Sequence, residues 1–127
     1  MAIATTSQVV YDGLRNVIMQ FTGRSDGEGQ ETNVVKVDVS SLTPPCDKVR
    51  IHKITYDIRG GMVELLWDDQ TPVPFLELSG PNEIEYCRAP LQNGATDSAS
   101  GDILLSTKGF ELNSSYSIKI EMKKKDA

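Results

Sequence analysis

The chain has 127 residues, 39% of them hydrophobic and 24% charged, with a net charge of −5. That length suits one domain with a core of its own, and the composition excludes wholesale disorder. No apolar run reaches the roughly 18 residues of a membrane span, and "MAIATTSQVV" has neither the basic region nor the continuous apolar region of a secretory signal.

Residues 1–8 are uncharged and are read as an extended N-terminal arm, with residues 9–127 as a single domain. An arm of eight residues reaches roughly 26–29 Å when extended. The segment "SQVVYDGLRNV" is the best helical candidate, but Gly13 interrupts it, so at most one turn is expected.

From there the apolar pattern has period two, which predicts strands. Val17, Met19 and Phe21 fall on one face of "NVIMQFTG". Val35, Val37 and Val39 alternate with Lys36 and Asp38. Ile54, Tyr56 and Ile58 alternate up to a predicted turn at Gly60-Gly61, after which Val63, Leu65 and Trp67 share a face. Leu76 and Leu78, then Ile84 and Tyr86, mark two strands separated by the turn "LSGPN". Ile103 and Leu105 mark a seventh strand. The eighth is the most regular, with Tyr116, Ile118, Ile120 and Met122 on one face and Ser117, Lys119, Glu121 and Lys123 on the other.

Eight half-buried strands without crossover helices predict an all-β fold, an antiparallel β-sandwich of jelly-roll or immunoglobulin-like topology. Two polar connections, Gly23–Thr32 and Ala89–Asp102, are long enough to be contact loops.

Groups with chemical potential are few. Trp67-Asp68-Asp69 reads as a strand end followed by a corner that Pro72 and Pro74 continue. Adjacent carboxylates there point apart and do not make an acid–base pair. His52, the only histidine, has no orienting acid or nucleophile at a useful spacing. Asp26, Glu28 and Glu31 do not match the ligand offsets of a calcium loop, and that loop reads as solvated. Cys46 and Cys87 lack the CxxC spacing of zinc sites. They read as free thiols, with a disulfide between strands as the alternative. No catalytic, metal or cofactor residue is assigned, and the chain is expected not to be an enzyme.

Residues 1–122 carry ten basic against seventeen acidic groups. Such a body repels phosphate backbones, so neither nucleic acid nor a membrane is expected as a partner. The three lysines at 123–125 read as a solvated strand end. Aromatics are 6% of the chain, and Tyr11, Phe75 and Phe110 are the ones left for a sugar platform. The positive signal is a surplus of apolar residues outside the inward sets, namely Ile18, Val34, Met62, Leu66, Phe75 and Leu104. If clustered, they make an interface that a partner buries.

Three runs, "YDGLRNVIMQFTGRSDGEGQETNVVKVDVSSLTPPC", "LLWDDQTPVPFLELSG" and "GDILLSTKGFELNSSYSIKIEMKKK", together resemble small all-β virion proteins of tailed bacteriophages, of the head decoration (cement or auxiliary capsid) type. The resemblance implies a non-enzymatic structural protein on the outer capsid, assembled in the bacterial cytoplasm. It also implies contact with the major capsid protein and a homo-oligomer, trimer or dimer. A glycan- or receptor-binding module is the rival expectation, and a tail or head–tail connector component is a related one.

Overall fold

The computed structural model describes residues 3–25, 27, 31–42, 48–68, 72–86 and 101–125. Asp26, Glu28, Cys46, Asp69, Cys87 and most of the loop at Ala89–Asp102 lie outside them. The fold is all-β, with every strand pairing antiparallel. The described residues form strands β1 (Ile3–Asp12), β2 (Asn16–Ser25), β3 (Val34–Val37), β4 (Lys48–Trp67), β5 (Val73–Glu85), β6 (Ile103–Lys108) and β7 (Ser115–Lys125). One 3₁₀ turn, Val39–Ser41, follows β3. Asp38 caps it by accepting from the Ser40 N–H at 3.0 Å.

Seven strands stand where eight were expected, and two physical reasons account for the difference. Gly60-Gly61 and Gly80 are bends inside strands and not turns between them. At the first bend, φ of Gly60 is +81°, and a Cβ there would come within 2.5 Å of Ser114 Oγ. A Cβ on Gly61 would run into the Phe110 ring. The glycines therefore allow a close crossing of β4 beneath Phe110 and Ser114, and Ser114 Oγ donates to the Gly60 carbonyl at 3.0 Å. Gly80, at φ +68°, bends β5 opposite Ile58. The two expected pairs of strands thus fuse into β4 and β5. In the other direction, the stretch read as an arm enters the sheet from Ile3 as part of β1, registered against β2.

The strand order is β1-β2-β7-β4-β6-β3, with β5 also pairing to β4. Residues 48–59 of β4 pair with β7, and residues 62–67 pair with β6. Beyond its bend, β4 changes neighbours, and β5 accompanies it through both parts. The sheet curls into two layers. One holds β1, β2, β7 and the first part of β4, and the other holds β3, β6 and the second part. β4 and β5 run through both.

The core lies between these layers as one cluster. Phe21, Ile54, Leu65, Ile103, Leu105, Ile118 and Ile120 are all fully buried. Trp67 closes the far end of β4, buried and stacked on Phe75 with ring centroids 4.1 Å apart and planes 15° from parallel. The Asp68 N–H then donates to the Asp102 carbonyl at 3.0 Å. β1 gives no described side chain to this cluster.

Strict alternation fails at several places, and two of the slips change what the surface carries. Ile51 and Ile54 are both fully buried although three positions apart. An extra residue must therefore be absorbed, and the register slips between Ile51 and Lys53, at His52. A second slip, between Val35 and Val37, exchanges the expected places of Val35 and Lys36, while Val37 and Val39 stay buried. Val35 is exposed and Lys36 is buried beside buried Val37.

Candidate functional site

The slip in β3 assembles a polar cluster that sequence reasoning missed. Lys36 Nζ lies 3.0 Å from Glu31 Oε2, with the two side chains only 4% and 10% exposed. Tyr116 donates its hydroxyl to Glu31 Oε1 at 2.6 Å, and Lys36 Nζ sits 5.8 Å from the centre of the Tyr116 ring. Burial, followed by the hydrogen bond and charge of Glu31, raises the Tyr116 phenol well above its ordinary range. Gly23 makes room for the ring, since a Cβ there would fall inside it. The backbone joins in. The Glu31 N–H donates to Thr107 Oγ1 at 2.9 Å, and the Thr107 N–H returns a bond to the Glu31 carbonyl at 3.0 Å. Glu31, expected to be solvated, is therefore a buried strut. The legible signal was Tyr116 itself, because an inward phenol needs a buried acceptor.

The slip in β4 shapes the outer face of the first layer. Tyr11, Ile18, Glu121 and Lys53 follow one another across β1, β2, β7 and β4. Asn16, Lys123 and Arg50 form the next row. His52 is added between these rows. Tyr11, Asn16, Ile18, His52, Glu121 and Lys123 line a groove of about 520 Å³. Tyr11 is 54% exposed, and its ring lies against Gly13 in the β1–β2 turn. That turn is closed by the Gly13 N–H donating to the Asn16 carbonyl at 2.8 Å. His52 Nε2 is shielded from solvent and has no hydrogen-bond partner among the described residues. Burial, with help from Lys123 and Arg50 and against Glu121, lowers its pKa. This groove joins an aromatic face to an amide, a carboxylate, an ammonium and an imidazole, a set suited to a polar ring.

A second groove, about 560 Å³, runs over the outer face of the other layer. Leu66 lies in its floor, with Asn33, Glu64, Ser106, Lys108 and Pro72 around it. Among the described residues it has no aromatic lining. Among the described residues no group of three His, Cys, Asp or Glu side chains is placed to hold a metal.

The six apolar candidates do not form one patch. Ile18 is half-buried in the first groove. Val34 and Met62 are exposed, at 36% and 39%, on different strands. Phe75 is half-buried against Trp67. Leu66 and Leu104 are corrected from exposed to buried, at 4% and 3%. They oppose one another across β4 and β6, with Pro74 beyond the first and Val35 beyond the second, so each is flanked on both sides. Leu112, before β7, is 67% exposed, and the remaining exposed apolar side chains are Val9, Val10, Tyr11 and Leu14 on β1 and its turn, with Val35 beside Val34 on β3. These are the outermost strands of the order.

No family model matches the sequence, and no curated protein matches it. Solved structures resemble the chain in outline. A cupin superfamily protein from Desulfitobacterium hafniense is 14% identical, with 97% of this chain and 79% of that one covered and a TM-score of 0.40. An RmlC-like cupin from Methanocaldococcus jannaschii is 10% identical, with 95% and 80% covered and a TM-score of 0.36. A mutant of a family 29 carbohydrate-binding module is 10% identical, with 97% and 87% covered and a TM-score of 0.37. At these scores the likeness transfers neither residues nor activity to this chain.

Proposed function

We propose that the chain is a non-enzymatic structural protein of a bacteriophage virion, binding the outer capsid surface and bridging major capsid subunits. The observation that supports association is where the exposed apolar side chains lie. Val9 and Val10 are about half exposed on one outermost strand, and Val34 and Val35 stand on the other. Apolar side chains on strands with a free margin are what a partner buries. The virion setting is supported by the resemblance of the three sequence runs. Mass spectrometry of purified particles carrying this gene tests it. A fixed ratio to the major capsid protein is expected, and absence from intact particles overturns the reading.

A second reading is favoured by the first groove, in which the exposed Tyr11 ring stands beside Asn16, Glu121 and Lys123. There the protein is a saccharide-binding module, with a sugar face stacked on the phenol and its hydroxyls bonded to the polar rim. A glycan array decides between them. Binding that disappears in Tyr11→Ala supports this reading, and an array with no signal removes it.

A further inference from the structure

We infer that the outer margin of β1 is a self-association surface, on which a second copy of the chain lays its own β1 antiparallel across a twofold axis. β1 is the last strand of the order, with β2 as its neighbour on one side. Among the described residues no strand takes the other side. Its register with β2 is regular from Ile3 to Val9, and the slip falls after that, between Val9 and Tyr11. Seven consecutive residues, "IATTSQV", therefore present a regularly registered margin of backbone donors and acceptors. Proteins normally protect such margins with lysine, proline, inward charges, bulges or very short strands. This stretch has no charge, no proline and no glycine, and its bulge stands at the far end only.

The same seven residues are complementary to themselves. Centred on Thr6, antiparallel pairing sets Ile3 of one copy opposite Val9 of the other, Ala4 opposite Gln8, Thr5 opposite Ser7, and Thr6 opposite Thr6. The residues that this register sets opposite one another are of like kind, apolar at the ends and hydroxyl-bearing at the centre, and no like charges meet because the stretch carries none. A twofold contact uses the same patch on both copies. It also continues the first layer into the second copy, which would cover Val9, in register with buried Met19 yet itself 49% exposed. The inference names a partner for the association proposed above and rests on it. The two fail separately, because particle composition tests the virion setting and solution mass tests the pairing.

Light scattering on the full chain, up to about 0.5 mM, is the measurement. Twice the 14.0 kDa monomer mass is expected, rising with concentration. Thr6→Lys and Thr6→Glu each place like charges on the axis. Each should weaken the dimer by at least about tenfold, with an unchanged circular-dichroism spectrum. An equimolar mixture of the two restores the doubled mass, which a variant that merely failed to fold could not do. A monomer throughout, a threefold mass, variants that stay dimeric, or a mixture that stays monomeric overturns the inference.

Discussion

The two ends of the sheet, β1 and β3, are both outermost strands with exposed valines, yet they are secured in opposite ways. β3 has four residues and is held by buried side chains, with Lys36 and Glu31 paired inside and Tyr116 bonded to Glu31. β1 has ten residues and is held along its length by backbone pairing to β2. At its end, Lys124 Nζ fastens Asp12 at 2.6 Å. One margin is short and anchored from within, and the other is long, uncharged from Ile3 to Tyr11 and, among the described residues, open. A short anchored margin resists addition of a foreign strand, whereas a long open one invites it. The molecule therefore has a direction, with strand addition expected on the β1 side.

The comparison is broken most severely at Lys36. Lys36→Ala leaves the Glu31 carboxylate buried without its cation, and a loss of about 3–5 kcal/mol is expected in urea unfolding. Replacing both partners, Lys36→Met with Glu31→Leu, should recover most of that loss, because the desolvation cost disappears with the charges. Tyr116→Phe removes one hydrogen bond to a charged acceptor while the ion pair stays, and about 1.5–3 kcal/mol is expected.

The β1 side responds more weakly. The pKa of His52 is lowered on folding, so the unfolded chain binds more protons just below the ordinary imidazole value of 6.5. Stability from this group is complete above that value and is lost as pH falls through the lower folded one. His52→Gln should flatten the slope of the urea midpoint between about pH 5 and 7. Smallest of all, Val9→Lys should change monomer stability by no more than about 0.5 kcal/mol, since Val9 is half exposed, while lowering any association through β1. A large loss of stability there would mean that β1 belongs to the core after all.

Period two located β2, β6 and β7, since each buries one whole face, and it fixed the all-β class. It missed β1 altogether because "IATTSQ" has no apolar alternation, as befits a strand that gives the core no described side chain. Gly60-Gly61 was read as a turn because two glycines permit reversal and bending alike, and only the overlying Phe110 and Ser114 decide between them. Lys36 was placed outward because period two carried the face of Val37 and Val39 back across the slip that inverts Val35 and Lys36. The spacing of Ile51 to Ile54, odd for a strand, did carry the matching slip at His52 in plain view. Tyr11 was legible as an unspent aromatic, but its companions Asn16, Glu121 and Lys123 come from two other strands, and only the register brings them to it.

β4 runs for 20 residues through both layers, and this has a mechanical consequence. Layers joined by side chains alone can slide, but here any relative displacement must stretch a peptide backbone. A load applied to one layer is carried into the other as tension along a single chain. The slowest amide exchange should therefore be found on both sides of Gly60-Gly61 alike, released together in one global opening.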